Sequence, residues 1–255
     1  MNGTIPGKAV ADAAIRTEQL SRKFGDFKAV DALTLQVAKG EIFGFLGANG
    51  AGKTTAMKML TGLLRPTSGS ASVAVFDVYR EPEKIKRHIG YMSQRFSLYE
   101  DLSPRENIRF WGGIYGLSKD LLREKSAHLL ETLGLESVAD SRLSTLPLGW
   151  KQKLSFSVAL LHEPEIVFLD EPTGGVDPLT RRRFWEMIYA TADHGVTVFV
   201  TTHYMDEAEY CDRVSIMVDG RVAAIGSPEE LKSCSGSASI DDLFVRLARA
   251  GTRTE

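Results

Sequence analysis

The 255-residue sequence predicts an α/β fold with two additions: an antiparallel β subdomain toward the N-terminus and a helical subdomain inserted near the middle. Three observations predict it. The apolar run from Ile42 to Leu46 has the character of a buried strand. It leads through the glycine-rich stretch Gly47–Thr55 into Met57, Leu60, Leu63 and Leu64 at helical spacing, in the order strand, glycine loop, helix. Second, from about 96 to 161 the pattern is helical, with no convincing strand. Third, apolar strands return at Ile166–Leu169 and Val196–Val200, and each ends in polar residues.

Composition narrows the class. With 43% hydrophobic and 25% charged residues, the chain is an ordinary globular one that can bury a substantial core. A formal net charge of -2 gives no support for a basic nucleic-acid surface, so no nucleic-acid partner is expected. Cys211 and Cys234 are too few and too far apart for a disulfide framework or a cysteine metal site, which fits a reducing cytosol. No apolar run approaches the roughly 20 residues that span a bilayer. Met1–Ala14 lacks the apolar core of a signal peptide, and residues 1–14 read as a mobile tail.

The elements follow in order. Residues from about Ile15 to Leu46 hold three short strand-like runs, with Phe24, Val30, Leu33, Leu35 and Val37 among their apolar positions, which predicts a small antiparallel sheet. Ala71–Val78 and Ile89–Met92 read as strands, the latter ending at Ser93-Gln94. Ser103-Pro104-Arg105-Glu106 is a capping box with proline in the first turn. A second helix follows Ser118 and stops at Gly134, and a third begins near Gly149 with Trp150, Leu154, Val158 and Leu161 on one face. Asp177-Pro178 opens another helix, Asp219-Gly220 turns a hairpin, and Ser227-Pro228 caps a short helix. Ile240–Leu247 repeats apolar residues at helical spacing and is expected to pack on the body.

The chemistry concentrates at the strand ends. Gly47, Gly52, Lys53 and Thr54 meet the pattern G-x-x-x-x-G-K-[ST], with Asn49, Gly50, Ala51 and Thr55 completing the loop. Glycines let the backbone approach a ligand closely, and the N–H groups at a helix N-terminus favour a polyphosphate. Lys53 supplies a cation for the β- and γ-phosphates; the Thr54 hydroxyl suits Mg²⁺, a hard cation. The strand Ile166–Leu169 presents Asp170 and Glu171 at the carboxyl edge of a sheet, where α/β proteins bind ligands. Asp170 can join the Mg²⁺ shell, and Glu171 can orient or deprotonate a water for attack on a γ-phosphate. Gln94 can reach Mg²⁺ or that water, His203 can hydrogen-bond the γ-phosphate, and Phe24 can stack on an adenine base.

Taken together, Phe24, Gly47–Thr54, Gln94, Asp170, Glu171, Asp177 and His203 resemble, in order and spacing, the ATP-binding subunit of an ABC transporter, over a stretch from about Ile15 onward. Thr202–Glu209 and Ile240–Phe244 are most similar to ATPases of bacterial ABC-2 type drug and polymer exporters. The resemblance implies a P-loop NTPase (RecA-like) core over 15–234, a helical subdomain at about 96–161, and a C-terminal tail with a short helix over 235–255. It also implies ATP and Mg²⁺ as ligands, a second ATPase subunit packed head to tail, and transmembrane permease subunits at the cytoplasmic face of the membrane, contacted through residues near Phe96 to Tyr115. One motif departs from the family. Where its signature reads L-S-G-G-Q, this chain has Leu146-Pro147-Leu148-Gly149-Trp150, leaving Gly149 and the helix behind it as the expected phosphate contact. A soluble mechanochemical or regulatory ABC-type ATPase without a membrane partner is the alternative.

Overall fold

A computed structural model describes residues 12–94 and 98–251. The chain enters through β1 (Ala13–Phe24) and β2 (Phe27–Ala38), then runs through β3 (Ile42–Gly47), α1 (Lys53–Leu60), β4 (Ser68–Val73), β5 (Phe76–Asp77), α2 (Pro82–His88) and β6 (Ile89–Met92). Three helices follow: α3 (Pro104–Ile114), α4 (Lys119–Thr132) and α5 (Leu148–Ala159). Next come β7 (Ile166–Asp170), α6 (Pro178–Asp193), β8 (Thr197–Thr202), β9 (Arg213–Val218), β10 (Arg221–Gly226), α7 (Pro228–Ser235) and α8 (Ile240–Gly251).

The strands form two sheets. One is antiparallel, in the order β2-β1-β4-β5; the other has the order β10-β9-β3-β8-β7-β6. In the second sheet β3, β6, β7, β8 and β9 run parallel, and only β10 is reversed. β3 and β7 are buried along their whole lengths, which is why both read as unbroken apolar runs without alternation. The two faces of this sheet have different covers. Phe43, Phe45, Phe168 and Phe199 pack with α1 and the antiparallel sheet. Leu46, Val167, Leu169 and Val200 pack with Phe156 of α5, Phe184, Trp185 and Ile188 of α6, and Ile240 and Leu243 of α8. Between 98 and 161 the described residues form helices and turns around their own cluster, which includes Leu98, Ile108, Leu130, Leu143, Leu154 and Leu161. No helix among the described residues is long and apolar enough to cross a membrane.

Several sequence expectations need correction. Of the three N-terminal runs, only two join the antiparallel sheet, since Ile42–Gly47 is the central strand of the parallel one. The expected mobile tail reaches too far: Ala13 and Ala14 already lie in β1, Ala13 pairing with Ala38, while residues 1–11 lie outside the described residues. The expected packing of Ile240–Leu247 on the body holds, because α8 buries Ile240 and Leu243. On α5, Leu154 and Val158 face inward but Trp150 is 38% exposed, since the helix starts at Leu148 and its first turn stands clear of the core. The Ser103, Asp177 and Ser227 caps form as the sequence predicts, two of them as full capping boxes.

The predicted strand Ala71–Val78 is broken. It turns between β4 and β5 at Ala74 and Val75, with φ of 47° and 66°. Left-handed backbone is costly for a β-branched residue, and Val75 is 78% exposed, so burial returns little of that cost. Val75→Gly is therefore expected to stabilise the fold by about 1 kcal/mol, a rise of roughly 2–4 °C in Tm at this chain length. A melting curve shifted downward instead would mean that the valine side chain makes a compensating contact.

Packing between α5 and α6 yields a second expectation. A Cβ added to Gly149 would lie 2.7 Å from Thr180 Cγ2, too close for any real contact. Gly149→Ala should lower stability by about 1–3 kcal/mol, read as a lower urea midpoint. Thr180→Ser removes that methyl and keeps the hydroxyl that donates to Asp177 Oδ2 at 2.6 Å, so the double variant should recover most of the loss. No recovery would place the strain elsewhere.

Candidate active site

Strand β3 delivers the chain to the sheet's carboxyl edge at Gly47, and the loop to α1 begins there. Gly52 cannot be exchanged in this loop: its φ is +102°, and an added Cβ would lie 2.2 Å from the Ala29 carbonyl on β2. The antiparallel sheet thus presses directly on the loop. Ala48, Asn49 and Gly50 are exposed, Ala51 is buried, and the peptide N–H groups of α1's first turn, through Thr54 and Thr55, lack intrahelical acceptors. Lys53, 5% exposed, folds back along the loop. Its Nζ donates to Gly47 O at 2.7 Å and Ala48 O at 3.1 Å, and lies 3.5 Å from Glu171 Oε1. Burial lowers the Lys53 pKa, while the charges of Glu171 and Asp170 oppose that shift.

Strand β7 brings the two carboxylates to the same edge. Asp170 is 3% exposed; its Oδ1 accepts from Thr201 Oγ1 at 2.6 Å and its Oδ2 from Thr54 Oγ1 at 3.4 Å. Burial raises the Asp170 pKa, against the hydrogen bonds from Thr201 and Thr54 and the nearby Lys53 charge. Glu171 leaves the strand with φ of 48°, an unusual backbone for glutamate. Its N–H is held by Thr201, whose carbonyl and hydroxyl both lie at 3.1 Å.

The Glu171 carboxylate is where the predicted residues meet. Gln94 Nε2 donates to Oε2 at 2.7 Å, and His203 Nδ1 lies 3.0 Å from the same oxygen. Beside it opens a cleft of about 390 Å³, lined among others by Ser93, Gln94, Glu171, His203, Tyr204 and Leu148. A carboxylate here has a lysine on one oxygen, two orienting side chains on the other, and open space beside it. Such a group can accept a proton from a water placed in that cleft.

Other predicted residues stand outside this cluster. Phe24 sits at the tip of the β1–β2 hairpin, 48% exposed, with the Arg22 guanidinium 4.6 Å from its ring centroid. Gly149 abuts Thr180 of α6, so packing alone accounts for a glycine there. Pro147 caps α5 without a side-chain hydrogen bond, and Leu148 beside it is 41% exposed. Thr201 was given no role in the sequence, although it donates to the Asp170 carboxylate and accepts from the Glu171 backbone N–H. Its one signal was position: it lies two residues before His203 on a strand whose end was already marked as functional.

A protein-family model described as ABC transporter matches residues 30–174. The chain is 50% identical over 247 residues to a probable multidrug ABC transporter ATP-binding protein, YbhF, of Escherichia coli, covering 95% of this chain and 42% of that protein. It is 40% identical over 243 residues to the daunorubicin/doxorubicin resistance ATP-binding protein DrrA of Streptomyces peucetius, covering 95% of this chain and 73% of DrrA. A solved structure of the ATP-binding subunit of an ABC transporter superposes with a TM-score of 0.82 at 31% identity, over 92% of this chain and 99% of that one. The chain thus spans less than half the length of the Escherichia coli relative. From the glycine loop and strand-end carboxylates, from the match over 30–174, and from relatives covered over most of their length, the chain belongs to the ABC transporter family as an ATP-binding domain.

Proposed function

We propose that this chain binds ATP with Mg²⁺ and hydrolyses it to drive an exporter through a membrane-embedded partner. The observation that carries the reading is the Glu171 carboxylate, gathered with Lys53, Gln94 and His203 beside the phosphate-binding loop. Mg²⁺ fits the donor set, because Thr54 Oγ1 and Asp170 Oδ2 are oxygens 3.4 Å apart in a largely buried setting. Gln94 can add its amide oxygen, since its nitrogen is the atom bonded to Glu171. When bound, the metal would neutralise charge on the phosphate oxygens.

The protein groups then have distinct tasks. Gly47 to Thr55 cradle the phosphates through backbone N–H groups, and Phe24 offers a ring face to the adenine. Lys53 moves from Glu171 to the phosphates. The carboxylate it leaves is still oriented by Gln94 and His203, and takes the proton of the attacking water. His203 also donates toward the γ-phosphate. The helix behind Gly149 meets the nucleotide held by a second ATPase subunit, with Pro147 and Leu148 giving that contact an apolar character. Tyr99, Phe110 and Ile114, which are 49%, 40% and 57% exposed, support a permease contact between 96 and 115; Phe96 itself lies outside the described residues. The relatives' names, multidrug and daunorubicin/doxorubicin resistance, support a drug as cargo.

Glu171→Gln should retain ATP while turnover falls by about 100-fold or more, the usual scale for a lost general base. Isolated from gently solubilised membranes with ATP present, that variant should carry a polytopic membrane protein at stoichiometric ratio. Recovery from the soluble fraction alone would favour a soluble mechanochemical ATPase. Restoring Pro147→Ser and Leu148→Gly together should raise ATPase activity if the altered signature limits closure. Unchanged or reduced activity would mark the motif as adapted to its partner surface.

A further inference from the structure

A charged pair whose carboxylate is fully buried, and whose guanidinium is largely so, lies behind the candidate base and histidine. Glu207, in the 3-10 turn Met205–Tyr210 that follows His203, has no solvent exposure. Its Oε1 accepts a short hydrogen bond from Thr173 Oγ1 and lies 3.5 Å from Arg181 Nε. Arg181 stands in the first turns of α6, just after the Asp177 cap. Its guanidinium also covers the Tyr204 ring at 4.3 Å, and that ring lies 4.2 Å from the imidazole of His203. Three segments therefore meet on one carboxylate: the loop leaving Glu171, the start of α6, and the turn leaving His203.

Stability alone does not account for this pair. Removing the Glu207 carboxylate from water costs several kcal/mol, only partly returned by a guanidinium that is itself 20% exposed and shared with Asp206, and apolar residues of similar volume commonly fill such sites at no loss. The pairing is also incomplete, since Glu207 Oε2 and Arg181 Nε have no hydrogen-bond partner. What the charges supply is direction. Arg181 addresses Glu207 through its edge and Tyr204 through its face, and so fixes the register of the two segments that place His203 against Glu171.

We propose that Arg181 and Glu207 are positioning residues that set the imidazole of His203 on the Glu171 carboxylate, Arg181 acting through Tyr204 and Glu207 through Thr173. The proposal rests on Glu171 and His203 being the hydrolytic pair, and its test is chosen to read independently of turnover. The probe is the ¹⁵N imidazole spectrum of the full chain. Its five histidines are assigned by single substitution. Arg181→Met with Glu207→Gln keeps the volume and leaves no unpaired buried charge, so this double variant should fold. Its expected spectrum shows the His203 ring nitrogens shifted or broadened, with the rings of His88, His128, His162 and His194 unmoved. Arg181→Lys, which keeps charge without the planar face, should move the His203 signal less. In the assembled transporter the double variant should lose roughly ten- to hundredfold in kcat, with KM for ATP within about twofold, the pattern of a misplaced catalytic group. An unmoved His203 signal in the folded variant overturns the proposal. Equal displacement of all five rings also overturns it, because the pair would then be a general fold element. Absence of ATPase activity in the unsubstituted chain would count against the hydrolytic reading, while the imidazole spectrum would still decide the tie.

Discussion

Lys53 is buried, and the oxygens available to its ammonium are few: the carbonyls of Gly47 and Ala48, and the carboxylate of Glu171 at 3.5 Å. An ammonium withdrawn from water costs several kcal/mol unless such oxygens surround it. Two of them belong to the end of β3 and the third to the residue after β7, so satisfying one cation fixes where two strands must stop. β8 lies between those strands and contributes Thr201, whose hydroxyl reaches Asp170 while its backbone and hydroxyl hold the Glu171 N–H. The positions of Gln94, at the end of β6, and His203, at the end of β8, follow from the same alignment of strand ends.

That alignment has a conformational cost, taken at Glu171. Its φ of 48° is where a glycine would be at ease, yet the chemistry needs a carboxylate. The strain is held in place by the paired acceptors on Thr201, by the helices that follow, and by the cores on both sides of the sheet. Val75, in the same region of backbone space, has no such surroundings and no chemical role in view. The contrast separates strain that sits on a reacting group from strain that is merely tolerated at a turn.

Much of this was legible in the sequence, because the determining signals were local. The caps at Ser103, Asp177 and Ser227 need only a few consecutive residues, and the strands β3 and β7 announce themselves by unbroken apolar runs. Asp170 and Glu171 could be named from the apolar strand they end, while Gln94 and His203 could be named only together with the other strand-end residues and the glycine loop. What stayed hidden depends on partners distant in the chain. Thr201 looks like any β-branched strand residue until Asp170 is beside it. The packing of Gly149 against Thr180 cannot be read locally, and Trp150 fits the apolar stripe of α5 although it is 38% exposed in the first turn of that helix. Sheet assignment of Ile42–Gly47 was hidden for the same reason, since its neighbours β8 and β9 lie far along the sequence.

The placement of β3 has a consequence for the order in which the molecule is made. Its two sheet neighbours are β8 and β9, which begin at Thr197 and Arg213. A chain emerging from the ribosome therefore exposes the phosphate-loop strand for some 150 residues with both edges bare, a long-range pairing of the kind that folds slowly and invites misassociation. The early hairpin of β1 and β2, and the helices between 98 and 161, can form from neighbouring residues in the meantime. The nucleotide loop is written near the start of the chain but takes shape only when its last third arrives.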